Sequence, residues 1–392
     1  MRISLLVAIL CLASTSCGTT HQKTTVEPRI YGLISERKQQ ELDKAANTYR
    51  AFLTAIAERY HSNINLSILT RWSMQGALVR LNPHGLVAPS ESFTKTCNSY
   101  GIGIVVAQSA NGVIIKRFAH NSPALKVGMQ FGDFVTAVDG AGTYGMPTFE
   151  IAERIVCNGK NSVQLTGVRE KTPFEVIIRK GHVSFKDFIS EKLSGDVGYL
   201  YFSSVSPFST SAGKVYRAIQ TLRDGDTTKF ILDLRSMDGG QIATANHILN
   251  IFLPTGTPYA KTKTTSLTIP AAYPTIENEL VVLVNRGTAS AGEIIASALQ
   301  ENGRAIIVGE RTAGFGSVIT EITLPDETIL ALPIEEYFDV SGKKLEGVGV
   351  VPDISVTEEN PFAQWVPGVH DPILQTGLAH LTGKPFQYAE AR

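Results

Sequence analysis

Ser290 lies where an apolar run, Leu280 to Val284, gives way to a helical period over Ala291 to Gln300. A serine at a strand end that opens a helix is placed to attack a carbonyl, because the unpaired N–H groups of the first helical turn favour a developing oxyanion. The plainer role for a serine there is a helix N-cap, worth about 1 kcal/mol. Attack also needs a proton acceptor, since a serine hydroxyl is a weak nucleophile at neutral pH. His247, Glu293, Glu310 and Arg311 are the titratable candidates in neighbouring segments. None stands at a spacing that demands the role, and His247 is expected on a helix flank.

The elements that must hold Ser290 belong to a region from 183 to 392 in which apolar strand runs alternate with helical periods. Strands are expected at Gly198 to Val205, Phe230 to Leu234, Leu280 to Val284 and Ala305 to Val308, with helices over Ser211 to Leu222, Ile242 to Phe252 and Ala291 to Gln300. Such alternation predicts an α/β layer architecture around a largely parallel sheet. Residues 97–182 read instead as a small β-rich domain, with short strands at Gly101 to Ala107, Gly112 to Phe118, Phe134 to Val138, Val163 to Val168 and Phe174 to Arg179, and one helix over Thr148 to Cys157. Residues 35–96 form an N-terminal helical region. Its stripe of Leu42, Ala45, Ala46, Tyr49, Phe52, Leu53, Ile56 and Tyr60, continued by Leu66, Leu69, Trp72, Ala77, Leu78 and Leu81, predicts a helical hairpin packed as core up to Asn82-Pro83.

Residues 1–17 have the form of an export signal, with Arg2 before the apolar Leu5 to Ala13 and the small Ser14, Thr15 and Ser16 after it. Cys17 stands where a lipoprotein signal carries its acylated cysteine, but Ser14 occupies the place of the usual Leu. A lipid tether through Cys17 and plain cleavage therefore remain alternatives. Residues 18–34 are a polar linker. The expected location is exported, in a bacterial periplasm or cell envelope.

The 36 basic and 36 acidic residues balance, so no net field steers the chain to nucleic acid, and 43% hydrophobic residues argue against disorder. Cys11, Cys17, Cys97 and Cys157 show no metal-like or Cys-x-x-Cys spacing, so neither a metal nor another cofactor is expected. Cys97 and Cys157 are either a disulfide or two buried thiols.

The run YGIGIVV (Tyr100 to Val106) with NSPALKVGMQFGDFVTAVDG (Asn121 to Gly140) resembles the PDZ domain embedded in C-terminal processing, or tail-specific, serine peptidases. The resemblance implies a loop and strand, Gly101, Ile102, Gly103 and Ile104, that hold the C-terminus of a polypeptide by β-augmentation. GALVRLNPHG (Gly76 to Gly85) is similar to a segment of that family, with a structural role for His84. ILDLRSMDGG (Ile231 to Gly240) resembles its oxyanion turn, which makes Gly239 and Gly240 donors, with Asp238 where the family has proline. VVLVNRGTASAGEIIASALQENGRAIIVGERTAGFGSV (Val281 to Val318) resembles its nucleophile-to-base stretch, with Ser290 as nucleophile and the N–H of Ala291 as a further oxyanion donor. LEGVGVVPDISV (Leu345 to Val356) and DPILQTGLAHL (Asp371 to Leu381) match its closing strand and terminal helix. The implied fold is a multi-domain α/β protein with an N-terminal helical region, a PDZ domain and a C-terminal core of the Clp-protease/crotonase type.

The family activates its serine with a buried lysine in Thr-Phe-Gly-Lys-Gly. Here the segment is Thr312, Ala313, Gly314, Phe315, Gly316, so Phe315 stands on the lysine position, and Ile319 replaces the glutamine that orients the lysine. The resemblance thus implies an exported serine endopeptidase acting on polypeptide C-termini. Its alternative is a pseudopeptidase that retains peptide binding, because Phe315 cannot take a proton. A hydrophobic-ligand carrier on the same core has no specific support.

Overall fold

The computed structural model describes residues 35–60, 65–81, 86–89, 100–109, 112–119, 121–130, 132–156, 159–183, 185, 187–193, 195–205, 210–357 and 370–383. The leader, Cys17, the 18–34 linker, His84, Cys97 and Cys157 lie outside them.

Helix α1 (Glu36–Arg59) starts at Ser35, whose hydroxyl accepts from the Lys38 N–H, and none of its residues is buried. The expectation that its apolar stripe is core is therefore corrected: Tyr49, Leu53 and Ile56 are only half-buried, because the period reports which face is apolar and not how deeply it packs. Helix α2 (Leu66–Leu81) does pack. Its Gln75 and Leu78 are buried, and its Trp72 lies against the β-rich core. Strand β1 (Leu86–Pro89), inside the stretch read as helical, pairs instead with a strand of the C-terminal region.

The β-rich region follows as β2 (Tyr100–Gly101), β3 (Ile104–Ser109), β4 (Gly112–Phe118), α3 (Pro123–Lys126), β5 (Phe134–Val138), β6 (Ala141–Gly142), α4 (Thr148–Val156), β7 (Ser162–Arg169), β8 (Thr172–Arg179) and β9 (Gly181–His182). Its antiparallel sheet has the order β3-β4-β5-β7-β8, with β6 on β5 and β2 paired to β9. Val113, Ile115, Val135, Val163, Leu165 and Ile178 point inward at the two-residue period of a half-buried sheet, and Ile151 and Ile155 of α4 close the core. The strand expected over Gly101 to Ala107 is broken at Gly103, whose φ of 72° departs from extended backbone.

The C-terminal region comprises β10 (Phe188–Lys192), β11 (Val197–Phe202), α5 (Ala212–Asp224), β12 (Lys229–Asp233), α6 (Ile242–Phe252), β13 (Pro258–Lys261), β14 (Ser266–Thr268), β15 (Glu279–Val284), α7 (Ala291–Glu301), β16 (Ile306–Gly309), β17 (Ser317–Thr323), β18 (Thr328–Glu336), β19 (Ile354–Ser355) and α8 (Pro372–Thr382). The main sheet runs β10-β11-β12-β15-β16-β19, parallel from β11 onward. Its central strands are largely apolar on both faces because both are covered. Leu200, Phe202, Phe230, Leu232, Val282 and Val284 face α5, α6 and α7, whereas Tyr199, Tyr201, Ile231, Val281 and Leu283 face α8. A second sheet, β1-β18-β17, lies beside it and was not anticipated from the sequence. The mixed α/β architecture is the one expected.

Candidate active site

Three turns at the carboxyl ends of the parallel strands interlock. The turn after β12 is tied to the turn after β15, because the Thr288 hydroxyl donates to Leu234 O (2.8 Å), Asn285 Oδ1 accepts from the Ser236 N–H (2.8 Å), and the Ala289 N–H donates to Met237 O (2.8 Å). The Ala313 N–H donates to Thr288 O (2.9 Å), which brings the segment after β16 onto the same site.

A buried network supports the first turn. Arg235 is fully buried and holds Asp233 through Nε (3.0 Å to either oxygen) and Nη2 (2.6 Å), and Asp371 through Nη1 (2.8 Å). The Tyr199 hydroxyl donates to Asp233 (2.7 Å), and Asp371 also accepts the Leu374 N–H that starts α8. Burial opposes the Arg235 charge, but the two carboxylates more than offset it and raise its pKa well above the ordinary value. Burial and the Asp233 charge keep Tyr199 protonated and donating.

Ser290 sits at the tip of the second turn with φ 53° and ψ −119°. A non-glycine residue there costs about 1–3 kcal/mol and persists only when its surroundings over-determine it. The half-buried side chain faces Gly239: a β-carbon on that glycine would come within 2.8 Å of Ser290 Cβ and 3.0 Å of Oγ. Gly240 instead abuts Val205, where a β-carbon would meet the carbonyl oxygen at 2.1 Å. The amides of Gly239, Gly240 and Ala291 donate to no acceptor among the described residues. Asp238 is half-buried, and its N–H donates to Ser203 O (3.0 Å).

Among the described residues no side chain hydrogen-bonds Ser290 Oγ. Phe315 and Ile319 come together beside the serine, forming one apolar cluster with Ala289 and Ala313. His247 and Arg311 are exposed, and Glu310 pairs with Arg286 at 3.0 Å. None of these three reaches the serine as a base.

Glu293 was passed over as one of several titratable neighbours, and the geometry gives it a specific place. It is wholly buried; Oε1 accepts from the Thr312 hydroxyl (2.5 Å) and the Gly314 N–H (2.7 Å), and Oε2 from the Phe315 N–H (2.6 Å) and the Ser290 N–H (3.1 Å). Burial pushes its carboxyl up to about 7, against the pull of those four donors. The signal was there: Ser290-x-x-Glu293 has the spacing of a capping box.

In the β-rich region, Gly101 pairs with Gly181, Ile102 is buried, and the carbonyls of Ile102 and Gly103 accept from the Ala124 and Ala119 amides (3.0 and 2.8 Å). Ile104 begins β3, which pairs on one side with β4 and is an edge of its sheet among the described residues.

The family model described as peptidase family S41 matches residues 196–356. A carboxyl-terminal-processing protease of Synechocystis sp. is 30% identical over 302 residues, covering 74% of this chain and 70% of the relative. A carboxy-terminal-processing protease of Bartonella bacilliformis is 29% identical over 330 residues, covering 80% and 75%. A solved structure of a photosystem II D1 C-terminal processing protease superposes with a TM-score of 0.63 at 21% identity, over 86% of this chain and 91% of that one.

Proposed function

Because this chain belongs to the carboxyl-terminal-processing serine proteases of peptidase family S41, we propose that it is a serine endopeptidase in which Ser290 attacks the scissile carbonyl of a polypeptide. The observation that carries this reading is the strained turn that presents Ser290 to the Gly239 backbone. A serine used only as a helix cap takes ordinary extended backbone and needs no such strain. The undonated amides of Gly239, Gly240 and Ala291 are the oxyanion donors. The β-rich region is a PDZ domain in which the Gly101 to Ile104 segment and the edge of β3 receive a polypeptide C-terminus. The protein works outside the cytoplasm, as residues 1–17 indicate.

Without a lysine at Phe315 the serine proton goes to water, and the assistance of a general base, typically worth about 10²- to 10⁴-fold, is lost. The proposed enzyme is slow. A second reading, a peptide-binding protein without turnover, rests on Phe315, a buried residue that motif spacing puts where the base lysine would stand. A fluorophosphonate probe separates the two. Slow, stoichiometric labelling that vanishes in Ser290→Ala supports the peptidase; a folded protein that takes up no probe after prolonged exposure is a binding protein.

A further inference from the structure

Glu293 is a wholly buried carboxylate, bonded to the Ser290 N–H, that the proposed chemistry does not use. Its surroundings are matched to an ionised carboxylate, which has about four acceptor positions and here meets four donors. Oε2 accepts the Ser290 N–H and neither oxygen hydrogen-bonds Ser290 Oγ, so Glu293 is not placed as the missing base. The donors come from two segments far apart in sequence, the nucleophile turn and the Thr312 to Phe315 stretch. Thr312 extends the contact, since its Oγ1 also accepts from the Val350 N–H at 2.7 Å.

We infer that Glu293 is a positioning residue, which locks Ser290 into its strained turn and fixes the Thr312 to Phe315 segment against it. The inference rests on reading Ser290 as the nucleophile. The strained backbone supplies the physical reason. Its cost must be met by contacts that a relaxed turn would lose, and the Ser290 N–H donates to Glu293 rather than to a backbone carbonyl. Released, the turn relaxes toward ordinary φ and carries Oγ away from the Gly239 backbone. A displacement of about 1 Å at a reacting atom costs on the order of 10²-fold in rate.

The test uses the full-length protein and a fluorophosphonate probe, with the rate of bond formation separated from probe affinity by varying probe concentration. Glu293→Gln presents an NH2 group to two of the four donors. At a temperature well below both unfolding midpoints, its bond-forming rate should fall at least tenfold with affinity within about twofold of the parent. An unchanged rate in a protein that has merely lost thermal stability overturns the inference, because a packing role alone predicts that result. Should Glu293→Gln not fold, Thr312→Val removes one donor and should slow bond formation, with Thr312→Ser recovering rate toward the parent; no difference between them overturns it. If the parent itself takes up no probe, the nucleophile reading fails rather than this one. Amide hydrogen exchange then decides: Glu293→Gln, or Thr312→Val in its place, should unprotect residues 288–293 and 312–316 together, and loss confined to one segment is the overturning outcome.

Discussion

The ring of Phe315 packs against Ala289, the residue that immediately precedes Ser290. The position that motif spacing assigns to a base lysine is therefore part of an apolar cluster that also includes Ala313 and Ile319. A lysine there would be desolvated and its pKa lowered, the condition for a neutral amine at physiological pH. Phe315→Lys with Ile319→Gln should thus raise kcat/KM for peptide hydrolysis, by up to about 10²- to 10⁴-fold. It should also add an ionisation to the pH-rate profile. Phe315→Lys alone should gain less and unfold at lower temperature, because the buried amine lacks an orienting partner. If the double variant is folded and no faster than the parent, the Phe315 side chain does not stand where the serine proton can reach it.

Gly239 should be intolerant of a side chain for two separable reasons. Its φ of 114° disfavours any L-residue, and the new β-carbon would lie 2.8 Å from Ser290 Cβ. Gly256 has φ 84° with open space around it, so Gly256→Ala isolates the backbone cost of about 1–2 kcal/mol. Gly239→Ala should lower the unfolding midpoint at least as much and additionally suppress probe labelling of Ser290, whereas Gly256→Ala should leave labelling unchanged. Equal labelling in the two variants would place the Gly239 backbone away from the reacting serine.

Glu293 should leave a signature in the pH dependence of stability. Its folded-state pKa of about 7 lies above the ordinary 4.5 because of burial, so the folded state holds a proton that the unfolded chain releases. For a pKa raised in this way, the stabilising contribution is complete below about 4.5 and is lost as pH rises to about 7, after which it levels. The size is on the order of 3 kcal/mol. Urea unfolding of the parent and Glu293→Gln at pH 5 and pH 8 measures it. The stability difference between them should shift against the parent on going to pH 8, and a difference that does not change with pH would mean that burial does not raise this carboxyl.

What the sequence showed follows from the range of the interactions involved. The parallel strands were legible because β11, β12 and β15 are apolar on both faces, and α6 and α7 because their periods are unbroken. Ser290, Phe315 and Ile319 could be named because motif spacing carries them. The role of Glu293 was hidden, although its capping-box spacing was visible, since two of its donors are the backbone amides of Gly314 and Phe315, and an amide has no residue type to recognise. Arg235 finds Asp371 across 136 residues, which no local pattern records. The β17–β18 hairpin did have a local signal in the turn around Asp326, whose side chain accepts from the Thr328 amide and hydroxyl. The stripe of α1 was read as core because periodicity identifies an apolar face without identifying its partner.

Helix α2 touches the β-rich region and the second sheet through residues three apart on one face. The Trp72 Nε1–H donates to Glu150 of α4 (2.6 Å), and Gln75 Oε1 accepts from the Val87 N–H of β1 (2.8 Å). Strand β1 lies on β18, and β18 on β17, which begins at Ser317 directly after Phe315 and Gly316. Gln75 is 2% exposed, so Gln75→Ala leaves the Val87 amide buried without its acceptor, a cost of roughly 1–3 kcal/mol. Amide exchange over residues 86–88 should accelerate accordingly, while exchange in β12 and β15 stays at the rate set by global unfolding. Trp72→Phe keeps an aromatic ring on the β-rich core but deletes the donor to Glu150, so it should leave the amides of residues 86–88 protected. Protection at 86–88 that survives Gln75→Ala would show that pairing with β18 alone holds β1, and that α2 only lies beside it.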